Sequence, residues 1–171
     1  SRQAISASND NTLRVWDLKH GEIICTLTGH VTNVWSLALT VDGRQAISAS
    51  RDGTIKVWNL EQSLLEQSKD VLTLRGHSAE IYSVALIANQ PRAVSGSLDG
   101  TIRVWDLVQG TEQRVLKGHD NGVTAVAVSA NGRRAVSGSA DRTIRVWDLV
   151  QGIEERVLIG HTDLVLAVAL S

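Results

Sequence analysis

The sequence predicts an all-β repeat protein built from four copies of a four-stranded antiparallel unit, and three observations predict it. Trp16, Trp58, Trp105 and Trp147, each followed by Asp or Asn, lie 42, 47 and 42 residues apart. A Gly-His pair recurs in phase at Gly29-His30, Gly76-His77, Gly118-His119 and Gly160-His161, and each of the first three His stands 28 residues before one of these Trp. Within each unit apolar residues alternate with a period of two rather than 3.6, the mark of strands and not helices. A base period of 42 residues, with one five-residue insertion after Trp58 (within 61–70), signals a solenoid or a propeller.

The elements follow in chain order. Residues 2–8 read as a strand b, because the same seven residues recur at 44–50. The insertion at 61–70 is expected to extend the loop between strands c and d. In the third unit the alternation places strand a near 80–87, b near 92–97, c near 101–107 and d near 112–117. Residues 123–128 and 143–147 alternate in the same way, and the stretches end at Asp-Gly, Asn-Gly, Asp-Arg or Gln-Gly pairs that suit tight turns. Residues 165–170 match 123–128 and read as a lone strand a. The chain is one domain, 1–171, with units at 1–28 plus 164–171, 29–75, 76–117 and 118–159.

Composition narrows the functional classes. With 171 residues, 43% of them apolar and 20% charged, the chain is of ordinary globular make-up. Seventeen Lys and Arg against eighteen Asp and Glu leave a net charge of -1, no field for nucleic acid or an anionic membrane. No apolar run is long enough to span a bilayer as a helix. The single cysteine, Cys25, cannot form an internal disulfide, which fits a reducing, cytoplasmic setting.

Gly-His, Ser-x-Ser-x-Asp-Gly-Thr and Trp-Asp, in that order at fixed spacing through all four units, resemble the WD-repeat β-propellers. Asn59 replaces the Asp after Trp58, and Asn11 and Arg142 replace the usual turn Gly. The resemblance implies four-stranded WD-type blades, four blade equivalents in the chain, with strand-exchange closure of the ring. It also implies one hydrogen-bonded set per blade, running from Trp to Ser to His to Asp. These are Trp58, Ser48, His30 and Asp52; Trp105, Ser95, His77 and Asp99; and Trp147, Ser137, His119 and Asp141. Trp16, Ser6 and Asp10 would take His161 if the ring closes. Which Ser of each Ser-x-Ser takes part, Ser48 or Ser50 for instance, stays open.

Ser, His and Asp within reach of one another look like a hydrolase triad, but the trio recurs in every unit, and no strand-to-helix nucleophile elbow accompanies it. The four His lie one per unit without a Cys-x-x-Cys or His-x-x-x-His, so no metal or cofactor site is expected. The function expected from the resemblance is a non-catalytic interaction scaffold. The alternative is a structural half-propeller without a dedicated ligand.

Blades of this type suit rings of seven or eight, turning about 45–51° from one to the next, whereas a ring of four needs about 90°. The complementary gaps at 1–28 and 164–170 then suggest a homodimer that completes an eight-bladed ring; a piece of a longer propeller would show the same gaps. Residues 101–119 and 143–161 agree at 16 of 19 positions, which fits recently duplicated or designed repeats.

Trp35 is the one Trp not followed by Asp or Asn. Its equivalents are Tyr82, Thr124 and Leu166, variable in size between constant aliphatic neighbours. In resembling propellers this position, the one two before it (Asn33, Glu80, Gly122, Leu164) and the residue before the turn Asp (Asn9, Arg51, Leu98, Ala140) surround the top of the central channel. Partner proteins or peptides are expected there, with Trp35 and Tyr82 as anchors. The competing reading is that Trp35 only fills the channel or packs on Tyr82.

Overall fold

The computed structural model describes residues 3–61 and 70–170. Its fifteen strands form four antiparallel sheets in which sequence neighbours pair throughout. Blade 1 is β1 (Gln3–Ala7), β2 (Thr12–Asp17) and β3 (Glu22–Thr28). Blade 2 is β4 (Val34–Leu39), β5 (Gln45–Ser50), β6 (Thr54–Asn59) and β7 (Asp70–Arg75). Blade 3 is β8 (Ile81–Leu86), β9 (Arg92–Ser97), β10 (Thr101–Asp106) and β11 (Thr111–Lys117). Blade 4 is β12 (Val123–Val128), β13 (Arg134–Ser139), β14 (Thr143–Asp148) and β15 (Ile153–Ile159). The fold is thus the all-β array of antiparallel blades that the repeats predict, three of them four-stranded and the first with three described strands, and the expected strands of the third unit lie within a residue or two of β8 to β11. The inserted residues 62–69 are outside the described part of the chain.

Turn chemistry explains the short connections. The residue that closes each b–c turn has a left-handed backbone, with φ of 71° at Asn11, 76° at Gly53, 78° at Gly100 and 71° at Arg142. Asn11 and Arg142 therefore hold the same conformation as the glycines they replace, at a modest steric cost.

Two register shifts recur. One falls on strand c just before each Trp, between Val15 and Trp16, Val57 and Trp58, Val104 and Trp105, and Val146 and Trp147. The other falls on strand a: Val34 faces Ser50 and Ser36 faces Ala49, leaving Trp35 without a cross-strand partner. Tyr82 and Thr124 are skipped in the same way in β8 and β12. A bulge of this kind turns the extra side chain out of the regular alternation.

Consecutive blades pack face to face, and the Trp of each later blade fills the joint. Trp58 sits with Leu13, Val15 and Leu27 of blade 1. Trp105 sits with Ile47, Val57 and Leu74 of blade 2, and Trp147 with Val94, Val104 and Leu116 of blade 3. Each buried indole withdraws about 150–250 Å² from water. The residues of strand b beneath the next blade are correspondingly small. A Cβ on Gly96 would lie 2.6 Å from Val123 Cγ1. Backbone N–H groups of the following blade are held too, Val84 to Ser36 Oγ and Val126 to Ser83 Oγ, each at 3.1 Å.

The two ends of this array differ from its middle. Trp16 is only half-buried where the other three strand-c Trp are fully buried. Leu158 is 43% exposed, whereas its equivalents Leu27, Leu74 and Leu116 are at most 2% exposed. Residues 164–170, expected as a strand a, have no strand partner among the described residues, and the sheet of blade 1 has three described strands. The strand b that 164–170 would need is not supplied by blade 4, whose own β12 already occupies that edge.

Replacing Gly96 by Val should overpack the joint between blades 3 and 4. A loss of about 1–3 kcal/mol in unfolding free energy is expected, measured by urea denaturation.

Candidate functional site

The Trp indole N–H, once buried, needs an acceptor, and a serine on strand b supplies it. Trp58 donates to Ser48 Oγ, Trp105 to Ser95 Oγ and Trp147 to Ser137 Oγ, each at 2.8 Å. The histidine Nε2 meets the same oxygens, at 2.8 Å from His30 to Ser48 and 2.7 Å from His77 to Ser95 and His119 to Ser137. Nδ1 faces Asp52 and Asp99 at 2.8 Å and Asp141 at 2.7 Å.

Direction follows from chemistry. A carboxylate only accepts, so each Nδ1 carries the proton, Nε2 accepts from serine, and the serine oxygen accepts from Trp. The Trp, Ser and His donors of each set are all satisfied by that single arrangement.

This resolves the choice between the two serines. Ser50, Ser97 and Ser139 do other work: each accepts the N–H of the following turn Asp, at 3.0–3.1 Å. A participant that the sequence reading passed over is the turn threonine. Thr54, Thr101 and Thr143 donate both N–H and O–H to the free carboxylate oxygen, the hydroxyl bonds measuring 2.6–2.7 Å. The Asp-x-Thr spacing repeated in all four units was the available signal.

These contacts set the charges. Burial alone would push the Asp99 carboxyl up, but the hydrogen bonds from Thr101 and His77 outweigh it and bring its pKa to about 2. Asp52 and Asp141 are likewise held well below the carboxylate range against the pull of burial, chiefly by His30 with Thr54 and by Thr143 with His119. Burial pushes the pKa of His77 and His119 down, so both are neutral at pH 7.

The arrangement is sealed. Ser48, Ser95 and Ser137 are fully buried and both of their hydroxyl roles are taken, which leaves no approach for a carbonyl substrate. Among the described residues no group of three or more His, Cys, Asp or Glu is placed to hold a metal ion. His20 is paired with Asp17 at 2.7 Å in an exposed turn.

In blade 1 the set is partial. Trp16 donates to Ser6 Oγ at 2.9 Å, and Asp10 holds Thr12 and Arg14, but no described histidine bonds to either Ser6 or Asp10. His161 is exposed.

The other candidate surface lies at the d–a and b–c loops. Backbone bonds of 2.9 Å join Arg51 N–H to Asn33, Leu98 to Glu80 and Ala140 to Gly122, so these paired positions are adjacent in every complete blade. Trp35 and Tyr82, both half-buried, stack across blades 2 and 3 with ring centroids 4.8 Å apart and planes within 3°. Arg51 and Glu80 form an ion pair at 3.6 Å beside a shallow recess of about 210 Å³. Thr124 is engaged with the Gly138 and Val165 carbonyls. Leu98 lies against Gly122, and Leu166 is 76% exposed. A larger groove of about 350 Å³ opens on the a–b turns instead, lined by Leu39, Val41, Leu86 and Ile87 among others.

The profile of the family described as WD domain, G-beta repeat matches residues 1–17, 21–59, 68–106 and 110–148. With its blades and repeated hydrogen-bonded sets, the chain belongs to the WD-repeat family. Over 40 residues it is 42% identical to the F-box/WD repeat-containing protein sel-10 of Caenorhabditis elegans, a stretch that spans 23% of this chain and 7% of that protein. The likeness therefore extends over about one repeat. Nothing in either comparison shows an enzymatic activity.

The pH dependence of stability follows from the signs. The unfolded chain binds protons near pH 6.5 at His and near pH 4 at Asp that the folded His77, His119 and Asp99 refuse, so stability rises with pH through both windows. The urea midpoint should be highest above about pH 7 and fall as pH drops through 6.5 and again below about 4. His77→Ala should cost about 1–3 kcal/mol at pH 7 and make the drop between pH 7 and 5 shallower.

Proposed function

We propose that this chain is a non-catalytic scaffold that takes a partner peptide on the face formed by its d–a and b–c loops. The stacked pair of Trp35 and Tyr82 carries this reading. Strand-a bulges lift both rings out of the blade alternation, and they remain half-buried beside the Arg51–Glu80 pair. Aromatic rings and arginine at a concave surface are the residues that dominate binding energies at protein interfaces. Asn33, Leu98, Thr124 and Leu166 would form the surround. With no net charge to speak of, the partner is a peptide or protein and not nucleic acid or membrane.

A peptide selected on this chain from a random library is the probe. Trp35→Ala or Tyr82→Ala should each weaken its binding at least about tenfold while leaving the urea midpoint in place. Unfolding by Trp35→Ala would mean that the rings serve packing alone. A footprint on the Leu39–Ile87 groove or on the c–d turns near Gly110 and Gly152 would place the site on the opposite side.

A second reading concerns the platform itself and is favoured by the exposure of Trp16 and Leu158 at positions buried everywhere else. Four blades make half a ring, and two chains close an eight-bladed one. Light scattering should give roughly 37 kDa, twice the 18.5 kDa chain mass. A dispersed monomer at 18.5 kDa would overturn it.

A further inference from the structure

Five times in this sequence a glycine follows Asn or Asp: Gly43, Gly53, Gly100, Gly122 and Gly132. In four of the five the glycine is left-handed and closes a tight turn. Their N–H groups donate to backbone carbonyls three residues earlier, Gly43 to Thr40 at 2.9 Å, Gly53 to Ser50 at 3.2 Å, Gly100 to Ser97 at 3.1 Å and Gly132 to Ser129 at 2.8 Å. The acid or amide before each of these glycines is held by residues two positions away. Asp42 Oδ1 accepts from Thr40 and Arg44, Asp52 from Thr54, Asp99 from Thr101, and Asn131 from Ser129 and Arg133.

Asn121-Gly122, in the loop between β11 and β12, is arranged differently. Gly122 is not left-handed, and its N–H donates to the side-chain oxygen of Asn121 itself, at 2.7 Å. An N–H needs an acceptor, so Oδ1 and not Nδ2 faces the nitrogen. Cγ lies one C=O bond beyond that oxygen, which puts it within about 4 Å of Gly122 N. Asn121 is exposed, so water reaches the carboxamide and a small leaving group escapes.

The geometry points to Asn121 as a site of spontaneous deamidation, in which Gly122 N attacks Asn121 Cγ and the loop gains a carboxylate. Loss of the Gly122 amide proton frees an in-plane lone pair where the hydrogen lay, and a small turn about χ2 brings Cγ to it. A bond forms between Gly122 N and Cγ, the bond from Cγ to Nδ2 breaks, and Nδ2 leaves as ammonia with the proton given up by the nitrogen. Water then opens the cyclic imide, adding to one of its two carbonyl carbons and returning a proton to the nitrogen. Opening at Cγ leaves aspartate at position 121. Opening at the Asn121 backbone carbonyl leaves isoaspartate, with the chain routed through the side chain. Water is the one co-reactant, and nothing is oxidised or reduced.

The two products fit differently. Aspartate is already accommodated at the equivalent position, where Asp163 accepts the Leu164 N–H at 2.7 Å. Isoaspartate lengthens the main chain by one carbon at a packed place. A Cβ on Gly122 would lie 2.8 Å from Leu98 Cδ1, and the Gly122 carbonyl accepts from Ala140 N–H at 2.9 Å. The Asn121 carbonyl accepts from Ser139 Oγ at 3.1 Å. One product therefore changes charge alone, and the other loosens the junction of the d–a and b–c loops.

Trypsin releases residues 118–133 as one peptide, so Asn121 and Asn131 are read side by side. The folded protein is held for days at mildly alkaline pH in water enriched in heavy oxygen, then digested and sequenced by tandem mass spectrometry. Asn121 should convert at least about tenfold faster than Asn131 and carry the heavy oxygen. In urea the two rates should approach one another, because the hydrogen bonds that distinguish the two residues are gone. Asn121→Asp should keep the circular dichroism and urea midpoint of the parent.

Similar rates in the folded protein, faster conversion at Asn131, or conversion of Asn121 in urea alone would each overturn the assignment. A ratio as large in urea as in the fold would show that the flanking sequence and not the geometry selects the site, and overturns it as well. Unfolding by Asn121→Asp would overturn the account of the two products.

Discussion

A buried indole N–H on strand c is the constraint around which each blade is organised. Joining one blade to the next excludes water from Trp58, Trp105 and Trp147, and the donor on each ring must then find an acceptor inside the protein. Serine on strand b meets that need only if its own hydrogen has a destination. Histidine takes it, and histidine in turn needs a carboxylate to fix its tautomer. Four parts of the blade are thereby tied in sequence: strand c, strand b, the d–a loop and the b–c turn. The turn aspartate extends the tie by accepting N–H and O–H from threonine at the start of strand c and an N–H from the residue after histidine. Chemistry that would be catalytic in a cleft is structural here because the joint that creates it also closes it.

The same device sets the limits of the face formed by the d–a and b–c loops. Loops held at both ends by buried hydrogen bonds cannot shift much, so variation is confined to side chains that leave the regular pleat. The strand-a bulges create those positions. Trp35, Tyr82 and Thr124 sit where no cross-strand partner dictates size, and their differences are tolerated for that reason. A rigid frame with a few free positions can change its surface without changing its core.

Much of this was legible in the residues. Period-two alternation between turn pairs located the strands of the third unit to within a residue or two, because short strands with one turn type have little freedom in register. The choice of Ser48 over Ser50 was not legible. Both hydroxyls lie on one face of strand b, two residues apart, and only the position of the neighbouring ring decides which is reached. Nor were the bulges, since an extra residue in a strand of Val, Ala and Leu leaves no compositional trace. The variability of Trp35, Tyr82, Thr124 and Leu166 was the indirect sign. The reading of 165–170 as a strand was a statement about sequence likeness. Strand structure needs a partner as well, and likeness cannot supply one.

Three of the four stretches that the family profile matches, 21–59, 68–106 and 110–148, begin at strand d of one blade and end at strand c of the next. The unit that is copied is therefore one strand out of step with the unit that folds. A copied unit never carries all four strands of one blade: it takes strand d from one blade and the other three from the next, so each repeat is folded only in the company of its neighbours.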